Sequence, residues 1–400
     1  MPAMSRFPRK PALLLLASST LSASEIVSDV AVDVLAALPP AVTLVGSTKS
    51  VYGTPWAIDV KNNIVYLGDW YTPATNGGNF QTYHVLNKAA PVRLSARTST
   101  QEVCDVKVSG SYAYVANDLV GFSIFNVSNP RSCSLASARY DGPGYTGAIT
   151  LRVNPNYELD AFVSSHVGCR DGFRIYHFSE SDPFTIPTPV RYTSPDPTVD
   201  QYVDSAVTTT RAYLLVTSSA PVHTWDMSVE ALDISRLPAV PTRLGTIDLP
   251  LKTYGGRGRI KVLNKYLYVA SDSTPPDTAV GGLRIIDASN PAAMRVVGKL
   301  DLSDIGSVPW CGTGLAIQSR TTTRSYAYMV GQTRFHMIGI DYVGGVYTGM
   351  AEVASAPLPA AFGPCKGGDV VISNGYAYGS VYGDLAKGGF GGLAIYSIKN

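Results

Sequence analysis

Tyr266-Leu267-Tyr268-Val269-Ala270 and, shortly after it, Gly282-Leu283-Arg284-Ile285-Ile286-Asp287-Ala288-Ser289-Asn290-Pro291 set the architecture of this chain. Apolar side chains in such runs alternate at spacing two, the period of a strand, where a helix would need 3.6. The first run returns as Tyr112-Ala113-Tyr114-Val115-Ala116, Tyr326-Ala327-Tyr328-Met329-Val330 and Tyr376-Ala377-Tyr378, with weaker copies ending on Tyr66, Phe162 and Tyr213. Marked by its second aromatic, it falls at 66, 114, 162, 213, 268, 328 and 378, a return every 48 to 60 residues. Strand-forming sequence repeating at about 40 to 50 residues reads as one four-stranded propeller blade per repeat.

The expected fold is therefore all-β, a seven-bladed β-propeller of four-stranded blades. Within each repeat, strand A precedes a turn, strand B carries the aromatic dyad, and strands C and D follow. Strand A is legible as Trp56-Ala57-Ile58-Asp59-Val60, Asp105-Val106-Lys107-Val108, Asp204-Ser205-Ala206-Val207, Arg259-Ile260-Lys261-Val262 and Asp369-Val370-Val371-Ile372. Strand C is clearest at Phe122 to Val127, Phe173 to Phe178, Leu283 to Ala288 and Leu393 to Ile398, and Asn129-Pro130 and Asn290-Pro291 turn the chain toward strand D. The last strand C ends at Ile398, so the expectation is that Ala41-Val42-Thr43-Leu44-Val45-Gly46 supplies the outer strand of blade 7 and closes the ring.

Composition agrees with many short strands and tight turns: 37 Gly, 27 Pro and 24 Tyr in 400 residues, 45% hydrophobic and 16% charged. The formal charge is +2 and no Lys/Arg run is long enough for a phosphate-binding stripe, which argues against nucleic acid as a partner. Arg6, Arg9 and Lys10 precede the apolar stretch Ala12 to Ala17 and small residues from Ser18 to Ser24, the pattern of an export signal too short to span a bilayer. The expected organisation is a signal peptide over 1–24, a leader with a short helix near Ser28 to Leu38 over 25–40, and a single propeller over 41–400, with 41–50 as its closing strand. Its blades run approximately over 53–98, 101–141, 145–194, 199–250, 254–302, 307–357 and 362–400.

The dyad followed by Gly282 to Pro291 resembles the LVIVD-repeat β-propellers of microbial surface and secreted proteins. Blades 2 and 5 are the best copies, and blades 3, 4 and 6 depart from the pattern. The resemblance implies a propeller in an extracellular setting, and because its motif residues are structural it implies no catalytic residue.

The blade map sorts the polar residues. His84 and His177 occupy the strand C slot that is Asn126, Asp233, Asp287 or Asp341 elsewhere, beside the C to D turn, where a polar side chain satisfies turn backbone. His166, His223 and His336 fall in or at the end of B to C connections, which share one face with the D to A loops. That face also gathers Asp69, Trp70, Tyr71, Arg170, Asp171, Trp225, Asp226, Asp272, Asp277 and Arg334 from B to C connections, and Arg257, Trp310 and Lys366 from D to A loops. Ligands of rigid scaffolds bind at such loop clusters, so this set is the candidate binding surface.

No CxxC pair, GxSxG elbow or DxDxDG loop occurs, so no cofactor and no metal site is expected. Five cysteines suit an exported protein. Cys311 and Cys365 lie at nearly matching positions ahead of strand A in blades 6 and 7 and are expected to form a disulfide, with Cys133 as the odd thiol. Cys104 and Cys169 offer a second pair on the same face.

The favoured function is a secreted or cell-surface binding scaffold for protein or glycan, anchored by loop aromatics such as Trp70, Tyr71 and Trp225. The alternative is a hydrolase, lyase or isomerase at the channel mouth, with His166, His223 or His336 as base and Arg257 or Arg334 holding an anion. A third reading is self-assembly through the leader or one face.

Overall fold

The computed structural model describes residues 39–399 apart from 73–76, 99–101, 119–120, 141–144, 154–157, 167–171, 180–184, 219–223, 255–257, 272–280 and 306–313. The signal peptide, the leader and its expected helix lie outside the described residues.

Seven four-stranded antiparallel sheets form the propeller, each a meander from inner strand A to outer strand D. Strand A runs over Pro55–Lys61, Asp105–Ser109, Tyr145–Val153, Val199–Val207, Gly258–Leu263, Gly314–Ser319 and Cys365–Ser373 in blades 1 to 7. Because each blade is a meander, all A to B and C to D connections lie at one face, and all B to C and D to A connections at the other.

Blade 7 is assembled as expected from both ends of the described chain. Its strands Cys365–Ser373, Tyr376–Gly383 and Gly392–Lys399 are completed by Ala41–Lys49, which pairs antiparallel with Gly392–Lys399 from Ala41 opposite Lys399 to Lys49 opposite Gly392. A bulge between Leu44 and Gly46 interrupts the register, and Gly46 is required there because an added Cβ would meet the Lys88 carbonyl oxygen at 2.0 Å.

The core lies between the blades. Among the described residues seven buried apolar clusters are found, one at each junction of neighbouring blades. The second aromatic of the dyad belongs to this core: Tyr66, Tyr114, Phe162, Tyr213, Tyr268, Tyr328 and Tyr378 are all buried. Stacks bridge blades directly, as in Phe80 on Phe125 at 5.0 Å, Phe122 on Tyr176 at 4.9 Å and Phe335 on Tyr396 at 4.6 Å between ring centroids. Tight A to B turns such as Asn62-Asn63 and Asn374-Gly375 take the left-handed conformation that a two-residue hairpin needs.

The polar slot in strand C satisfies turn backbone at three of its positions. Asn126, Asp233 and Asp287 each accept a hydrogen bond on Oδ1 from the backbone N–H two residues on, at Ser128, Ser235 and Ser289. His177 differs in its partner, with Nδ1 lying 2.6 Å from Asp160 Oδ1 on strand B.

Removing residues 1–49 strips the outer strand from blade 7 and exposes the edge of Gly392–Lys399. The truncated chain is expected to lose thermal stability and to self-associate, read by calorimetry and by light scattering after size exclusion; a monomer melting with the full chain would refute the closure role.

Candidate functional site

Alternate side chains of strand A face the two neighbouring blades, as Ala57 and Asp59 face blade 2 while Ile58 and Val60 pack with blade 7, and several of these positions are charged. Strand A carries Asp59 in blade 1, Asp105 and Lys107 in blade 2, Asp204 in blade 4, Arg259 and Lys261 in blade 5 and Asp369 in blade 7. Lys107 Nζ lies 2.7 Å from Asp105, Arg259 reaches Asp369 at 3.3 Å, and Lys261 lies 3.7 Å from Asp204. The Arg259 contact joins blade 5 to blade 7 and so skips the intervening blade. Burial opposes charge on Arg259 and Lys107, but facing carboxylates outweigh it and hold both protonated: Asp369 leads for Arg259, and Asp105 for Lys107.

These carboxylates also join blades through backbone. Asp59 Oδ2 accepts the N–H of Val108 at 2.6 Å, Asp105 Oδ2 that of Ile149 at 2.9 Å, and Asp204 Oδ2 that of Ile260 at 3.0 Å. In each case the donor sits on strand A of the next blade, while Oδ1 accepts the N–H of the following residue in its own strand. Sequence reading placed these aspartates at strand A without assigning the link. The available signal was an Asp three residues before the last apolar residue of strand A, at 105 and 204; Asp59 lies one residue before Val60, and Asp369, which shares the spacing, meets Arg259.

At the loop-rich face, Trp56, Trp70 and Tyr382 converge at the junction of blades 7 and 1. Their ring centroids are 5.9 Å apart for Trp56 and Trp70, and 6.1 Å for each of these with Tyr382. Trp56 is buried, whereas Trp70 and Tyr382 are half-buried and keep surface open to solvent. Lys366, also half-buried, pairs across the strand with Tyr382. Two residues expected at the site, Trp70 and Lys366, are thus brought together, though inside strands Ile64–Thr72 and Cys365–Ser373 and not in the loops where they were expected, and Trp56 and Tyr382 are additions that sequence reading missed.

Other expected site residues take different places. Asp69 is fully buried and not in a pocket: it accepts hydrogen bonds from Ser50 Oγ at 2.8 Å, from the backbone of Tyr52 and Thr54, and from Gln81, so it anchors the segment after the closing strand. Burial pushes its carboxyl up to about 6 against the pull of those donors. His336 lies within strand C of blade 6 (Arg334–Val343), not in the loop, and is buried between Asp304 at 3.0 Å from Nε2 and Glu352 at 3.4 Å from Nδ1. Both ring nitrogens are thereby engaged: Nε2 links blade 6 to Asp304 after the last strand of blade 5, and Nδ1 faces Glu352 on strand D of its own blade. Asp304 also accepts from the backbone of Thr333 and Arg334. Although burial opposes it, hydrogen bonds led by that from His336 hold the Asp304 carboxyl below its ordinary value.

Arg334 and Asp226 are exposed on the loop-rich face. Arg170, Asp171, His223, Arg257, Asp272, Asp277 and Trp310 lie outside the described residues, as do the side chains of Tyr71, His166 and Trp225.

Among the described residues no disulfide is formed, and the expected Cys311 to Cys365 bridge is not found: Cys365 carries a thiol. It packs half-buried against the apolar cluster between blades 6 and 7, and burial pushes its thiol up to about 11. Cys311 and Cys169 lie outside the described residues, and Cys133 is a buried thiol beside the C to D turn. No group of three His, Cys, Asp or Glu side chains among the described residues has a metal-binding arrangement.

Two stretches, residues 101–141 and 255–301, match the LVIVD repeat family, and they are blades 2 and 5. No curated protein matches the chain. Among solved structures, the chain is similar to Raptor from Chaetomium thermophilum, with a TM-score of 0.57 and 12% identity over 89% of this chain and 29% of that one. The N-terminal domain of Nup159 gives a TM-score of 0.54 at 9% identity, covering 90% of this chain and 96% of that one. A hypothetical selenium-binding protein from Sulfolobus tokodaii gives 0.51 at 11% identity over 80% of each chain. At such identities the likeness shows the fold alone.

Replacing Asp105 by Ala leaves Lys107 with its charge and the N–H groups of Val106 and Ile149 without their acceptor. The expected loss is about 3 kcal/mol in urea unfolding, while Asp248→Ala on an exposed outer strand should cost no more than ~0.5 kcal/mol. Equal losses for the two variants would remove the link from its structural role.

Proposed function

We propose that this propeller is an interaction scaffold, secreted or displayed at the cell surface, that captures a protein or glycan through its loop-rich face. The observation that carries the reading is the Trp56, Trp70 and Tyr382 group beside Lys366. Half-buried aromatic rings held by strands lose little conformational freedom on binding, and they offer flat apolar faces to a sugar ring or an apolar side chain. The Trp70 backbone N–H donates to the Thr54 carbonyl at 2.9 Å, which fixes the end of its strand, so the anchor is set before a partner arrives.

The export-signal pattern read at Arg6 to Ser24, and the extracellular setting that the resemblance to LVIVD-repeat propellers implies, support the location. The engagement of both ring nitrogens of His336 by Asp304 and Glu352 weighs against that histidine as a general base.

Labelled full-length protein applied to glycan and extracellular-protein arrays is expected to give hits whose affinity falls at least ~10-fold in Trp70→Ala and in Tyr382→Ala. Unchanged titrations for both variants on every hit would remove the anchor assignment. Location has its own check: expressed with its own leader in an export-competent host, the mature protein is expected to have a mass lacking residues 1–24, and a retained N-terminus on cytosolic protein would sink the export reading.

A further inference from the structure

The face opposite the proposed binding site is unusual in both charge and hydrophobicity. Its exposed cations include Arg93 and Arg131 on blades 1 and 2 and Arg236 on blade 4. Blade 5 adds Lys265 and Arg295, and blade 6 adds Arg320. All of them lie on A to B or C to D connections or at the adjoining strand ends. On the same connections Asp341 is the one exposed acid among the described residues. Asp287 is buried, accepts from Ser289 and pairs with Arg295 at 3.4 Å, Asp233 is half-buried and accepts from Ser235, and half-buried Glu158 lies 3.6 Å from His177. The blade 3 connection, with Glu180 and Asp182, lies outside the described residues. The formal charge of +2 for the whole chain conceals this local excess.

Large exposed apolar side chains concentrate on the same face. Of nine among the described residues, eight sit at or next to its turns, and Tyr140 is the exception. The most exposed are Val343 at 70%, Leu86 at 68% and Val240 at 66%. Val343 and Val346 flank Gly344-Gly345, a left-handed two-residue turn that carries this apolar pair at the tip of a hairpin.

We propose that this face docks the propeller on an anionic lipid surface. Exposed Lys and Arg are drawn to the negative surface potential of acidic lipids, and apolar tips standing among them enter the headgroup region, where their burial adds to the attraction. A soluble polyanion would reward the cations and leave the apolar tips in water, so the pairing of the two features selects the lipid. No helix among the described residues is long and apolar enough to cross a membrane. Docked this way, the propeller turns its loop-rich face and the Trp56, Trp70 and Tyr382 group away from the bilayer.

The test is co-sedimentation of the full chain with phosphatidylcholine vesicles prepared with and without phosphatidylglycerol. Binding is expected only where phosphatidylglycerol is present and is expected to weaken with added salt. The combined Arg236→Gln, Lys265→Gln and Arg320→Gln variant should bind about 100-fold more weakly, and Val343→Ser with Val346→Ser should remove the part of binding that survives salt. These substitutions leave residues 1–40 intact, so their effect separates the face from the apolar leader. Equal binding to both vesicle types, or a triple variant that binds like the parent, would overturn the proposal. Binding to dextran sulfate with none to either vesicle would overturn it too, by assigning the face to a soluble polyanion.

Discussion

The propeller depends on how its innermost strands dispose of their backbone N–H groups. Strand A is the edge of each four-stranded sheet, and in a closed ring that edge faces the neighbouring blade and the channel, where an unpaired N–H is costly. The carboxylates of Asp59, Asp105 and Asp204 meet the need by accepting the N–H of Val108, Ile149 and Ile260 on the next blade. Each link satisfies a donor and sets the spacing of two blades at once. The charges this brings to strand A are met by Lys107 at Asp105 and Lys261 at Asp204, while Arg259 pairs with Asp369.

Around that polar hub the apolar layer divides into clusters that belong to pairs of blades, so no blade has a core of its own. A blade taken alone would expose both faces, and the ring is stable only when closed. Closure falls to Ala41–Lys49 against Gly392–Lys399, with Gly46 allowing the Lys88 carbonyl to approach. A scaffold fixed this way leaves its connections free to differ. Loops at one face carry a strand-held aromatic group, and turns at the other carry cations and valines.

Several residues that stood out as polar and chemically able are consumed by this framework. Asp69 holds the segment that follows the closing strand, and His336 ties blade 5 to blade 6 through Asp304. Their roles were hidden in the sequence because their partners are distant along it: Ser50 and Gln81 for the first, Glu352 and Asp304 for the second. Cys365 shows the same limit. Matching positions ahead of strand A suggested a bridge, but its thiol packs into an apolar cluster.

Periodicity determined the fold class and the blade count, and the closing strand followed from blade 7 being one strand short and Ala41 to Gly46 being unassigned. Alternation at spacing two and the returning dyad on strand B report local burial, which every strand must satisfy by itself. The strand C slot was legible for the same reason, since Asp287 acts on Ser289, its near neighbour. What only the tertiary structure decided is which distant residues meet: the aspartate links around the channel, the grouping of Trp56 and Trp70 with Tyr382, and the gathering of scattered cations on one face. No run of basic residues marks that face, because ring closure brings Arg93, Arg236 and Arg320 from blades far apart in sequence onto one end of a rigid body, and linear charge counting averages them with acids elsewhere.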